Sequence, residues 1–141
     1  MSDSELVKLY SGRILALAAA IPHLGRLPSP TGTCRKRSPL CGSTVTVDVE
    51  VSEGRVVKFA QDVKACALGQ ASAAIFGGIA IGLTHAEIAE GRDALRAMLT
   101  GGPVPAAPFD GYEVLIPARD YKNRHASIML AIDACLQATD Q

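Results

Sequence analysis

Thr44-Val45-Thr46-Val47-Asp48-Val49-Glu50-Val51 alternates without a break, and the four residues that follow, Ser52-Glu53-Gly54-Arg55, have the makeup of a turn. Successive side chains of a strand point to opposite faces, so the valines at 45, 47, 49 and 51 share one side, and Thr44, Thr46, Asp48 and Glu50 the other. A half-buried strand is expected. The turn lets Val56 to Val63 return as an antiparallel partner with Val57 and Phe59 inward, and a third, short strand is expected to run into Lys64 and Ala65. An antiparallel sheet of this kind has one apolar face that other elements must cover.

The cover is legible on both sides of the hairpin. Ser2-Asp3-Ser4-Glu5 has capping-box spacing, in which the serine accepts from the amide three residues on and the glutamate reaches back. Leu6, Tyr10, Ile14, Leu17 and Ile21 then repeat at helical steps, so a first helix is expected from about Ser4 to Ala20, ended by Pro22 and Gly25. The stretch to Pro39, with Pro28, Pro30, Gly32, Lys36 and Arg37, predicts a mobile basic loop. Ala67 to Leu83 is apolar nearly all round and rich in alanine and glycine, which suits a helix buried on most sides. Thr84-His85-Ala86-Glu87 repeats the capping-box spacing and starts a helix carrying Ile88, Leu95, Met98 and Leu99, stopped by Gly101-Gly102-Pro103. After a proline-rich connection, Glu113 to Tyr121 is expected to be extended, and a last helix carries Ile128, Ile132 and Cys135 on one stripe.

Composition bounds the function. A chain of 141 residues suffices for one domain with a real core, taken as 1–141. Lys plus Arg number 14 and Asp plus Glu 14, with no basic stripe interleaved with aromatics, so the footprint of a nucleic-acid binder is missing. No run approaches the ~20 apolar residues that span a bilayer. Asp3 and Glu5 interrupt the positive region a secretory leader would need before Ile14 to Ile21. Four cysteines are too sparse for a disulfide scaffold; in a reducing compartment they bind metal or react, which points to the cytoplasm. A Ser-His-Asp order, a phosphate-binding glycine loop with its lysine, and a dinucleotide fingerprint are all missing, so hydrolase and nucleotide chemistry are not expected and the chain is not read as an enzyme.

Three side chains that could ligate a metal stand far apart in sequence, each where one element hands over to the next: Cys41, Cys66 and His125. Thiolate is the form that binds metal or accepts sulfur. Cys66 immediately precedes a predicted helix, whose free amides and positive dipole end favour the anion. Cys41 follows the basic loop, and Gly42 after it removes side-chain bulk. Two thiolates and an imidazole suit iron or zinc far better than magnesium or calcium. Each cysteine taken singly is better explained as a small buried hydrophobe, and His125 as a surface or helix-capping residue; only the conjunction carries the site. Cys135 falls on the core stripe and is read as packing, Cys34 as an incidental exposed cysteine of the loop, and His23 and His85 as solvated.

With these residues in hand, the chain resembles the U-type scaffold proteins of iron-sulfur cluster assembly, the NifU-like proteins and the amino-terminal domain of NifU. Tyr10 and Ile21-Pro22-His23-Leu24-Gly25 resemble the family's opening segment, and Leu40-Cys41-Gly42-Ser43 its Cys-Gly-Asp motif. Cys66 followed by Gln70-Ala71-Ser72-Ala73-Ala74 is similar to its second cysteine and Ala-Ser-rich helix, and Arg124-His125-Ala126-Ser127 to its final His-Cys-Ser. The resemblance implies an α+β fold, a three-stranded antiparallel sheet covered by four to five helices. It also implies a scaffold or carrier that binds iron or a transient two-iron cluster, receives sulfur from a cysteine desulfurase and passes clusters to acceptor proteins. Cys41, Cys66 and His125 inherit the ligand positions, with Cys41 and Cys66 as unranked sulfur acceptors.

Two positions depart from the family: its aspartate is Ser43 here and its third cysteine is Ala126. A two-iron cluster takes four protein ligands. Three correspond directly, so the fourth falls to the Ser43 hydroxyl, Cys34, solvent, a partner, or a second copy of the chain in a homo-oligomer. Besides the carrier, two readings remain open: zinc at the same residues poising a thiolate for sulfur from the desulfurase, and a metal-free interaction domain that keeps only the fold.

Overall fold

The computed structural model describes residues 11–140. In chain order the elements are α1 (Gly12–Ala18), β1 (Gly32–Arg37), β2 (Thr44–Ser52), β3 (Arg55–Lys64), α2 (Ala67–Gly77), α3 (His85–Leu99), a run of 3-10 turns (Phe109–Asp120) and α4 (Lys122–Ala138). The capping box expected at Ser2 to Glu5 lies outside the described residues. Within them α1 starts only at Gly12 and ends at Ala18, with the extended Ser11 as its N-cap accepting from the Ile14 amide at 3.4 Å, so the expected unbroken helix from about Ser4 to Ala20 is interrupted at Ser11. Among the described residues no helix is long and apolar enough to cross a membrane.

The sheet is antiparallel in the order β1-β2-β3. The alternation of β2 holds: Val45, Val47 and Val49 are fully buried. Two expectations about its neighbours fail. The third strand is not a short piece at Lys64 and Ala65, since β3 itself runs through Lys64; it is β1, inside the expected loop, pairing Gly32–Arg37 with Thr44–Val49. Edge strands tolerate the charge of Arg35, Lys36 and Arg37, which blunts further pairing. Cys34 is therefore not an exposed loop residue: it sits opposite Val47 on the inward face and is buried. On β3, Val57 faces solvent and Val56 faces in, because a bulge at Glu50/Val51 pairs Val56 with Val51 and Lys58 with Glu50, leaving Val57 as the extra residue. Phe59 is inward as expected and meets Phe76 edge to face.

The second face of β2 is covered as well. Asp48 is fully buried there, accepting from Arg26 Nε at 2.6 Å, Thr33 Oγ1 at 2.6 Å and the Leu27 amide at 3.1 Å. Burial would raise its carboxyl, but these donors outweigh burial and hold it below the usual carboxylate range. The segment after α1 thereby folds back over the sheet, and Leu24 bridges to Gln61 at the β3 edge.

Helix α4 crosses the inward face at β1 and β2, and α2 packs between α1 and α4. Tyr121 offers α4 no side-chain cap, so this helix owes its stability to packing: Ile128, Ile132 and Cys135 are fully buried, at about 1.5–3 kcal/mol for each isoleucine. Helix α3 has the predicted Thr84–Glu87 capping box and is tied to α4 by Arg92 and Asp133 at 2.8 Å. Helix α2 stops at Gly77, short of the expected Leu83. Glu113 to Tyr121 is not extended either: the 3-10 turns run to Asp120 and bury Tyr112, Val114, Leu115 and Ala118 on a spacing no strand would give.

Candidate functional site

Three elements meet at one edge of the sheet. The β1–β2 turn is closed by the Ser38 amide donating to Ser43 O at 2.8 Å and the Gly42 amide to Ser38 O at 3.0 Å. Gly42 has φ +70°, the left-handed conformation that lets the chain double back after Cys41. Cys41 stands exposed at the tip, with its Sγ 3.2 Å from both Ser38 Oγ and Ser43 Oγ. Burial would raise this thiol, yet the hydroxyls of Ser38, Ser43 and Ser127 and the Ser43 amide outweigh it and lower it to about 7.

Cys66 occupies the N-cap of α2, where the sequence expected it, and is half-buried. Its thiol is also held below the ordinary thiol range. Burial opposes this and is outweighed by the Ser127 hydroxyl, the amides of Gly69 and Leu68 in the first helical turn, and the Arg124 side chain.

Ser127 joins the two cysteines. It is buried, donates to Ser43 Oγ at 3.0 Å and lies 3.5 Å from Cys66 Sγ. A continuous path of hydroxyls therefore runs from Cys41 through Ser43 and Ser127 to Cys66. Gly69 makes room for it: a Cβ there would stand 2.5 Å from Ser127 Oγ and 2.9 Å from the Ala65 methyl. The role of Ser127 escaped the sequence, although its motif was visible, because a hydroxyl gives no spacing signal of its own. Ser38 was missed for the same reason.

His125 goes elsewhere. Residues two apart on a helix point about 200° apart, so turning Ser127 toward the thiols turns His125 away. Its Nε2 lies 3.0 Å from the carbonyl oxygen of Ala118, at the end of the 3-10 turns. The fold thus gathers Cys41, Ser43 and Cys66 and leaves His125 outside. Among the described residues no three His, Cys, Asp or Glu side chains stand close enough together to hold a metal ion. Two sulfurs and a hydroxyl fall short of the four ligands of a two-iron cluster, so the site does not by itself fit a self-contained cluster.

Comparison with known proteins agrees with the fold. No protein-family model and no curated protein matches the chain. Among solved structures, the amino-terminal part of a nitrogen-fixing NifU-like protein from Brucella abortus is 41% identical, with a TM-score of 0.92 over 95% of this chain and 94% of that one. A hypothetical protein is 21% identical with a TM-score of 0.85 over 96% and 99% of the two chains. A protein of Fervidobacterium islandicum AW-1, assigned provisionally as an iron-sulfur cluster assembly scaffold for the SUF system, is 19% identical with a TM-score of 0.83 over 94% and 98%. The last two likenesses are of fold alone. The first, over nearly the whole of both chains, carries the identification: the chain belongs to the NifU-like proteins.

Proposed function

We propose that this protein is a scaffold-like carrier in iron-sulfur cluster assembly that accepts sulfur from a cysteine desulfurase at Cys41. The observation that carries the reading is an exposed thiol, lowered to about 7, on a glycine-hinged tip and linked through two serine hydroxyls to a second lowered thiol. At neutral pH about half of such a thiol is thiolate, against a few per cent of an ordinary one near ~8.5. The step needs no outside oxidant. Cys41 thiolate attacks the terminal sulfur of a cysteine persulfide on the desulfurase; the new S–S bond forms as the old one breaks, and the desulfurase cysteine leaves as thiolate.

Iron or a labile cluster is the cargo. Cys41, Cys66 and Ser43 supply part of its shell and a partner or acceptor protein the rest, an open arrangement that favours handing on over storage. His125 takes part only if its contact with Ala118 opens. The setting proposed is the cytoplasm, where reduced thiols persist; all four cysteines are free. Zinc in a closed structural site takes four N or S ligands, which this edge does not provide.

The test is direct. After incubation with a cysteine desulfurase and cysteine under nitrogen, alkylation and peptide mass spectrometry should find the added sulfur on Cys41. Cys41→Ala should abolish it and Cys66→Ala should retain it. Sulfur found on Cys66 alone, or on neither edge cysteine, would refute the proposal.

A further inference from the structure

Beside the thiol edge lies a cleft of about 400 Å³ between the end of β1, the last turn of α3 and the first turns of α4. Its rim carries Lys36, Arg37 and Arg96, and its floor includes the buried Leu99 and Met129. The cations come from elements distant in sequence, which is why a chain of balanced charge showed no basic stripe. Among the described residues none of the three forms an ion pair. The one carboxylate in the lining, Asp133, is taken by Arg92 at 2.8 Å. The rim therefore presents uncompensated positive charge over an apolar floor. The cleft also adjoins the sulfur site through the chain itself: Arg37 precedes Ser38, and Ala126, in the lining, precedes Ser127.

We propose that this cleft docks an acidic segment of the protein partner that exchanges sulfur or cluster with Cys41, its carboxylates on Lys36, Arg37 and Arg96 and an apolar side chain on the floor. The proposal rests on the reading of Cys41 as sulfur acceptor and names where the partner is held. A contact beginning next to Ser38 brings the partner's own reactive group to the exposed tip. Carboxylates over such a rim speed encounter and give salt-sensitive binding. A nucleic acid fits less well, since no Phe, Tyr or Trp lines the cleft and His125 is its single ring, too little for successive bases to stack on.

The experiment has two arms. In the first, a fluorescein-labelled peptide alternating glutamate with leucine is titrated against the full chain by anisotropy, beside the same peptide with lysine for glutamate and a single-stranded oligonucleotide. The acidic peptide alone should bind, weakening as salt rises; Arg37→Glu/Arg96→Glu should lose at least tenfold in affinity, and Arg37→Gln/Arg96→Gln, which only neutralises the two exposed positions, an intermediate amount. In the second, sulfur transfer from the desulfurase is followed with the same variants, and the half-saturating concentration of this protein should rise with little change in the maximal rate. Peptide affinity and half-saturation both unchanged by charge reversal would overturn the docking site while leaving sulfur acceptance standing, as would an oligonucleotide binding as tightly as the acidic peptide. Charge-dependent peptide binding without any sulfur reaching Cys41 would instead uphold the cleft as an acidic-segment site and overturn its link to sulfur exchange.

Discussion

The four cysteines form two pairs with opposite chemistry. Cys41 and Cys66, at the sheet edge, are surrounded by hydroxyls and helix amides, and both thiols are lowered. Cys34 and Cys135 face one another's elements across the core, on β1 and α4; burial raises both, Cys135 to about 12. Desolvation acts on all four. What separates the pairs is whether donors stand within reach, so the site is defined by the serines and amides as much as by the sulfurs.

That contrast can be broken in several ways. The largest expected effect is on reactivity: with iodoacetamide at pH 7 the folded protein should be modified at Cys41 first and Cys66 next, with Cys135 more than about 100-fold slower until denaturant is added. Peptide mass spectrometry over a time course checks this, and comparable rates at Cys41 and Cys135 would erase the distinction. A smaller effect concerns stability. Cys135→Ser puts an unpartnered hydroxyl into packing that is fully buried and should cost about 1–3 kcal/mol in urea unfolding. Cys41→Ser, at the exposed tip, should stay within about 0.5 kcal/mol. A reversed order would mean that Cys41 is structural.

The difference between the two pairs was only partly legible in the sequence. Cys66 before a small-residue helix and Cys135 on an isoleucine stripe were, because helix periodicity and caps are local signals. Cys34 was not: β1 lies between prolines and carries three consecutive cations, and only its pairing with β2 reveals a strand. Alternation found β2, and the capping box found α3, yet a bulge of one residue was enough to reverse Val57. At the site, Cys41, Ser43 and Cys66 converge, whereas sequence spacing cannot tell which of His125 and Ser127 turns inward. That choice is made by the docking of α4 against Gly69, where a larger residue would collide with the serine.

The most direct measurement is the pH dependence of Cys41 alkylation, read site by site. Thiolate is the attacking form, so the rate must rise with pH through the thiol's own titration. The account predicts a midpoint near 7 in the native protein, moving upward in Ser127→Ala as one hydroxyl leaves the set that lowers it. A midpoint at the ordinary thiol value of ~8.5, the same with and without the serine, would contradict it.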